Sequence, residues 1–236
     1  MLRTSRSVRC VSAIAVGGFA AGLAFSTPAS ASTAAGDDYT SIFTDSNLKG
    51  AGWASCPTAI VWDADVTALS PRGATNAISD LDWAITTWGK AAGLPVTRGA
   101  SVPLIYDNAS ATVNSGATPG GRKIYVKFVQ DKDSNYLSGR VVGVATPTSV
   151  IQSNAEVIGG SAAFRVDYVE YANKSESRTL LLHELGHALG LGHSNDKKSV
   201  MFPIVTSTID LSAGDTAGIK AFTKNCDPAV AAQRGQ

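Results

Sequence analysis

The chain has 236 residues, of which 20 are basic, 19 acidic and three histidine, for a net charge of +1. So even a balance excludes a surface built to grip nucleic acid or an anionic membrane. The length suits one good-sized domain with a full core, and the one long apolar run is too short to cross a bilayer.

That run, Val11 to Phe25, follows Arg3, Arg6 and Arg9 and precedes Ala29-Ser30-Ala31. A basic start, a short apolar run and an A-x-A site together describe a secretory signal peptide over residues 1–31. The mature, extracellular chain is then expected to begin at Ser32 and to have no membrane partner. Losing three arginines takes the basic count from 20 to 17 against 19 acidic residues. Residues 32–55 are polar and contain Gly and Ser, which predicts a flexible N-terminal arm ahead of a domain over 56–236. Cleavage also removes Cys10 and leaves Cys56 and Cys226. An even pair in an oxidising compartment reads as one disulfide joining the ends of the domain, with a switch thiol at Cys56 as the alternative.

Thr58 to Val66 is rich enough in β-branched and aromatic residues for a first strand. Ser70-Pro71 then reads as cap and first helical position. Ile78, Leu81, Ile85, Trp88 and Ala92 recur at helical spacing, so a long amphipathic helix is expected to end at Gly93. Val102 to Tyr106, Lys123 to Val129 and Arg140 to Thr146 read as strands, the last closed by Pro147. Gly159-Gly160 between Ala155–Ile158 and Ala162–Val169 is a hairpin signal. Asp131-Lys132-Asp133-Ser134-Asn135 has oxygen spacing suited to Ca2+, although the glycine and late glutamate of an EF-hand are missing; the alternative is a solvated turn. Asn173 with Glu176, and Ser212 with Asp215, can each cap a helix.

All three histidines fall in one stretch, His183-Glu184-Leu185-Gly186-His187-Ala188-Leu189-Gly190-Leu191-Gly192-His193. On a helix, residues four apart share a face, so His183 and His187 present their imidazoles one turn apart. Glu184 flanks that face, and Leu181, Leu182, Leu185 and Leu189 form an apolar stripe opposite it. Gly190 supplies the left-handed residue that ends such a helix, so His193 can swing round as a third ligand. Three imidazoles and one open position describe a catalytic Zn2+ site.

Read as H-E-x-x-H-x-x-G-x-x-H, followed by Ser194 and then by Met201-Phe202-Pro203, the stretch resembles the metzincin metalloproteases. Within them it looks like the matrixin branch, over about residues 176–224. The resemblance implies an α+β fold of zincin type. A twisted mixed five-stranded sheet, a backing helix and an active-site helix would precede a small C-terminal subdomain with one helix. It implies Met201 as an apolar floor under the imidazoles and 56–236 as a catalytic domain. It further implies hydrolysis of a peptide or protein substrate, with zinc activating water and Glu184 as general base. Substrate would lie against an exposed strand before the active-site helix. Gly143, Val144 and Ala145 are the candidates there, and an ordinary sheet strand is the alternative. Pro203 would line the pocket for a substrate side chain, and a monomer is expected.

The chain also departs from the matrixin pattern. The further histidines of the second, structural zinc are missing, and the paired aspartates of the last helix read Gly214-Asp215. Two other functions fit the motif: an exported zinc-binding recognition module without turnover, and a zinc hydrolase acting on a non-peptide amide.

Overall fold

The computed structural model describes residues 9–12, 39–42, 52–53, 59–116, 123–151 and 156–223. Cys56 and Cys226 lie outside these residues, as does most of the stretch expected to be a flexible arm.

Strand β1 (Arg9–Ser12) falls inside the expected signal peptide, and β2 is only Gly52–Trp53. Strand β3 (Ile60–Asp65) follows the expected span closely. Ile60, Trp62 and Ala64 alternate into the main core, which leaves Asp63 and Asp65 on the opposite face. Those two buried carboxylates are paired there, Asp63 with Lys123 at 2.9 Å and Asp65 with Lys127. Burial alone would raise the Asp65 carboxyl. The donated Leu104 amide, the Lys127 ammonium and the Thr67 hydroxyl and amide outweigh it and hold the group at about 2.

Helix α1 (Pro71–Ala92) begins where Ser70-Pro71 promises: the Ser70 hydroxyl accepts the Gly73 amide at 3.1 Å. It ends at Gly93, whose φ of 71° is the left-handed cap. Its Leu81, Ile85 and Trp88 are buried at helical spacing. Trp83, off that face, carries the Arg178 guanidinium at 4.7 Å over its ring.

The next strand is β4 (Val96–Ser101), which the sequence pattern conceals because it is an exposed edge with almost no apolar residues. Parallel pairing to β3 forms it. The expected strand at Val102–Tyr106 is instead β5 (Ile105–Asp107), which makes a separate two-stranded hairpin with β6 (Thr112–Asn114). This hairpin closes a second core of Leu104, Ala111 and Val113 on Val129, Leu137, Val144 and Ala163. Strand β7 (Lys123–Val129) lies where expected.

Strands β8 (Val141–Ile151) and β9 (Glu156–Arg165) form a long antiparallel pair and correct two expectations. Pro147 does not close β8; it is tolerated within it, opposite Gly160. Gly159-Gly160 is not a turn but lies inside β9. Glycine is required at 160 because a Cβ there would sit 2.7 Å from the Ala188 carbonyl oxygen. Strand β9 also stops at Arg165, four residues early, and the chain continues as helix α2 (Val166–Tyr171).

The sheet order is β1-β8-β9-β7-β3-β4, with β2 pairing β9; β8 and the short β1 beside it run antiparallel to the rest. Removing the two short N-terminal strands leaves the mixed five-stranded sheet expected. Helices α1 and α3 (Lys174–Ala188) bury the main core on one face, and α4 (Ala213–Thr223) completes the C-terminal part. Among the described residues, no helix is long and apolar enough to cross a membrane.

Candidate metal centre

Helix α3 starts as expected, with the Asn173 side chain accepting the Glu176 amide at 3.0 Å. The apolar stripe expected on one face is an understatement. Thr179 through Ala188 are all buried, including His183, Glu184 and His187, so the helix runs through the interior with no solvent face there. Trp88 of α1 donates its indole N–H to the Leu182 carbonyl at 2.8 Å and ties the two helices one residue before His183.

The helix ends at Ala188, and Gly190 follows with φ of 112°. Its amide donates to the His187 carbonyl at 2.9 Å, and the Leu191 amide donates to that of Gly186 at 2.9 Å. A Cβ at Gly190 would lie 2.5 Å from the Phe222 ring. Both the positive φ and the contact demand glycine. The turn brings His193 back to the other two histidines, and one ligand atom from each lies within 4.8 Å of the others.

The donor set fits a metal cation. His183 Nδ1 lies 2.7 Å from the Val200 carbonyl oxygen, and His187 Nδ1 lies 2.7 Å from that of Leu191. A carbonyl only accepts, so both Nδ1 atoms carry the hydrogen, and each neutral ring has its lone pair at Nε2. Those two Nε2 atoms face each other at 3.0 Å. His193 Nε2 is buried with no hydrogen-bond partner among the described residues. Lone pairs that face each other in a buried site repel unless a cation lies between them. Tetrahedral Zn–N bonds of about 2.0–2.1 Å would hold two nitrogens at a similar spacing.

Burial keeps all three rings neutral. It pulls His183 down to about 3, helped by the repulsion a protonated His193 would exert, and His193 to about 4. His187 also falls well below its ordinary value through burial and the repulsion its two neighbours would exert if protonated. In the unfolded chain the same imidazoles titrate near 6.5, so acid favours unfolding across the window between. The metal-free protein should therefore be fully stable above about pH 6.5. It should then lose up to about 1.4 kcal/mol per pH unit for each ring as pH falls toward 4. Urea titrations of metal-free protein at pH 7.5 and 5 check this; equal stabilities would contradict it.

Met201, expected as a floor under the imidazoles, packs against the active-site helix at Gly186. It is buried, and a Cβ on Gly186 would come within 2.4 Å of its sulfur. Its turn is held by Asp215, a buried carboxylate on α4. One Asp215 oxygen accepts the Ser199 hydroxyl at 2.5 Å; the other accepts the Val200 amide at 3.1 Å and the Ser212 amide at 2.8 Å. Ser199 Oγ accepts the Met201 amide, and the Ser194 amide donates to the Met201 carbonyl. Asp215 thus reaches His183 through Val200. The sequence marks Asp215 as a helix-cap partner and as the retained member of the aspartate pair, and the cap is present, since its own amide donates to Ser212 Oγ; its hold on the Ser199–Met201 turn is seen only in the structure.

Gly143 of β8 lies directly against Glu184, and a Cβ there would be 2.7 Å from the carboxylate oxygen. Gly143, Val144 and Ala145 are therefore in the strand nearest Glu184, paired on one side with β9. On the other side β1 lies parallel to them, Val11 opposite Val144 and Ser12 opposite Ala145. Pro203, two residues past Met201, is half-buried. Asp131–Asp133 is a short 3-10 turn closed by protein hydrogen bonds: Ser134 Oγ accepts the Tyr136 and Leu137 amides, and Asn108 Nδ2 donates to the Asp133 carbonyl. Among the described residues, the histidines are the cluster that could hold a metal.

Comparison with known proteins agrees with this geometry. Macrophage metalloelastase of Oryctolagus cuniculus is 49% identical over 73 residues, 28% of this chain and 15% of that protein. Interstitial collagenase of Sus scrofa is 39% identical over 69 residues, again 28% and 15%. Metalloendoproteinase 2-MMP of Arabidopsis thaliana is 42% identical over 45 residues, 18% and 12%. The chain thus spans a small part of each relative. The matrixin family model, however, matches residues 97–223, more than half of the chain and every element from β4 to α4. The chain belongs to the matrixin family, whose members carry a catalytic zinc.

Proposed function

We propose that the protein is a secreted zinc-dependent endopeptidase. The observation that carries this reading is the pair of Nε2 lone pairs facing each other at 3.0 Å beside a buried glutamate on the same helix. His183, His187 and His193 would hold the zinc through Nε2. When bound, the metal supplies a Lewis acid that acidifies water and polarises a carbonyl. Glu184 takes the proton from the attacking water and passes it to the departing amide nitrogen. Its burial keeps competing solvent away from that proton. Met201 and Gly186 set the depth at which the imidazoles sit, and Pro203 borders the site on the side of a substrate side chain.

Loss of residues 1–31 would remove β1 and free the edge of β8. An extended peptide can then add to the main chain at Gly143–Ala145 by strand pairing. Gly143 lets that strand approach the Glu184 carboxylate; a side chain there would push it away. Cys56 and Cys226 are proposed as a disulfide, which export would allow to form.

One preparation tests the reading. The protein collected from culture medium should begin at Ser32 and contain about one zinc per chain. Its intact mass should rise by two hydrogens on reduction. Incubated with a mixed-peptide library, it should cleave internal bonds, and chelator should abolish cleavage. Firmly held zinc with no cleavage of any peptide would replace this reading with a zinc-binding recognition module.

A further inference from the structure

One segment reaches the candidate centre from about 150 residues away. Tyr39–Ile42 runs antiparallel to the loop that carries His193, with Ser41 bridged to Leu191. The Ile42 amide donates to the Gly190 carbonyl at 3.0 Å, and the Gly192 amide donates to that of Thr40 at 2.7 Å. The Thr40 hydroxyl donates to the backbone carbonyl of His193 itself. The fit is close: a Cβ on Gly192 would lie 2.5 Å from Thr40 Oγ1 and 2.8 Å from the Ser41 carbonyl oxygen. Both ends of the segment are seated. Ile42 is buried in the main core, and Tyr39 lies against Gly218 of α4, where a Cβ would come within 2.9 Å of its ring.

The three histidines are held in different ways. His183 and His187 are on a buried helix, and the Val200 and Leu191 carbonyls fix their rings. His193 is beyond the helix, past the positive-φ turn at Gly190, on a loop whose backbone must be held by something else. Tyr39–Ile42 holds it, with bonds to residues 190, 192 and 193. A ligand ordered before the metal arrives binds more tightly than one that must be ordered by the metal.

We propose that Thr40 is a positioning residue for His193, and that the Tyr39–Ile42 segment sets how tightly the centre holds zinc. This rests on the reading of the three histidines as zinc ligands. Four residues of the stretch expected to be a loose arm, Tyr39–Ile42, thereby become part of the centre's outer support.

Zinc dissociation constants measured by competition with a chromophoric chelator test it, alongside melting of the metal-free proteins. Thr40→Val keeps the side-chain shape and removes the donor. It should weaken zinc binding by about tenfold, as loss of groups supporting a ligand does, with metal-free melting unchanged. Thr40→Ser restores the hydroxyl and should bring the affinity back near wild type. Gly192→Ala, which pushes the segment off the loop, should weaken zinc at least as much as Thr40→Val. Equal affinities for Thr40→Val and wild type would overturn the proposal. So would a fall in metal-free melting that serine does not rescue, because the segment would then be an ordinary core contact. A wild-type protein that binds no zinc would instead overturn the ligand reading itself.

Discussion

Glu184→Gln is expected to keep its zinc and its melting temperature while peptide hydrolysis falls by about 10²–10⁴-fold. Glutamine preserves the size of the side chain, so the close approach to Gly143 survives. The three imidazoles and their Val200 and Leu191 carbonyl partners are untouched. What disappears is a carboxylate able to take a proton in a buried site. His187→Ala should behave differently. It removes one of the two facing lone pairs, so zinc and activity should be lost together, and the fully buried ring leaves a cavity in α3. Parallel zinc analysis and hydrolysis assays separate the two variants. A Glu184→Gln protein that cleaves at the wild-type rate would remove Glu184 from the mechanism.

The contrast between those variants follows from how the site is built, and that construction was legible in the sequence. His183, His187, Gly190 and His193 are spaced by helix geometry and one obligatory turn, so a local pattern suffices to bring them together. Ser70, Gly93, Asn173 and Ser212 were legible for the same reason, since a cap answers to neighbours within four residues. The sheet was harder. Strand β4 is an exposed edge without an apolar pattern and exists because β3 pairs with it. Gly159-Gly160 mimics a turn because glycine serves close approach as well as tight turning; here the need comes from Ala188 at the end of α3. The apolar stripe expected on α3 understated its burial because periodicity cannot tell a helix that borders solvent from one enclosed between α1 and β8.

The departures from the matrixin pattern also acquire a physical setting. With all three histidines in one cluster, none remains to hold a second zinc. The face of the sheet away from the helices is closed by the β5–β6 hairpin. Leu104, Ala111 and Val113 there cover Val129, Val144 and Ala163. Val144 is in β8 next to Gly143, so this apolar cap supports the strand proposed to receive substrate. The Val113 amide donates to buried Ser161 Oγ at 2.7 Å and locks the hairpin to β9.

The largest effect on stability is expected at Asp215. Asp215→Ala strands the Ser199 hydroxyl and the Val200 and Ser212 amides in a region where the carboxylate itself is only 1% exposed. Buried donors left without an acceptor cost about 1–3 kcal/mol each, so even without full additivity the loss should be about 3 kcal/mol or more. For a domain of this size that is a fall in melting temperature of about 6–12 °C. Asp215→Asn keeps one oxygen for the two amides and turns its NH2 toward Ser199, which can still accept, so it should lose less. The damage should also reach the centre, because Val200 connects Asp215 to His183 and the same turn carries Met201. Zinc affinity should therefore fall in the order wild type, Asp215→Asn, Asp215→Ala, parallel to the melting temperatures. Thr40→Val, by contrast, is expected to change affinity alone. An Asp215→Ala protein that melts with wild type would mean that the turn beneath the histidines is held by Met201 packing on Gly186 rather than by the carboxylate.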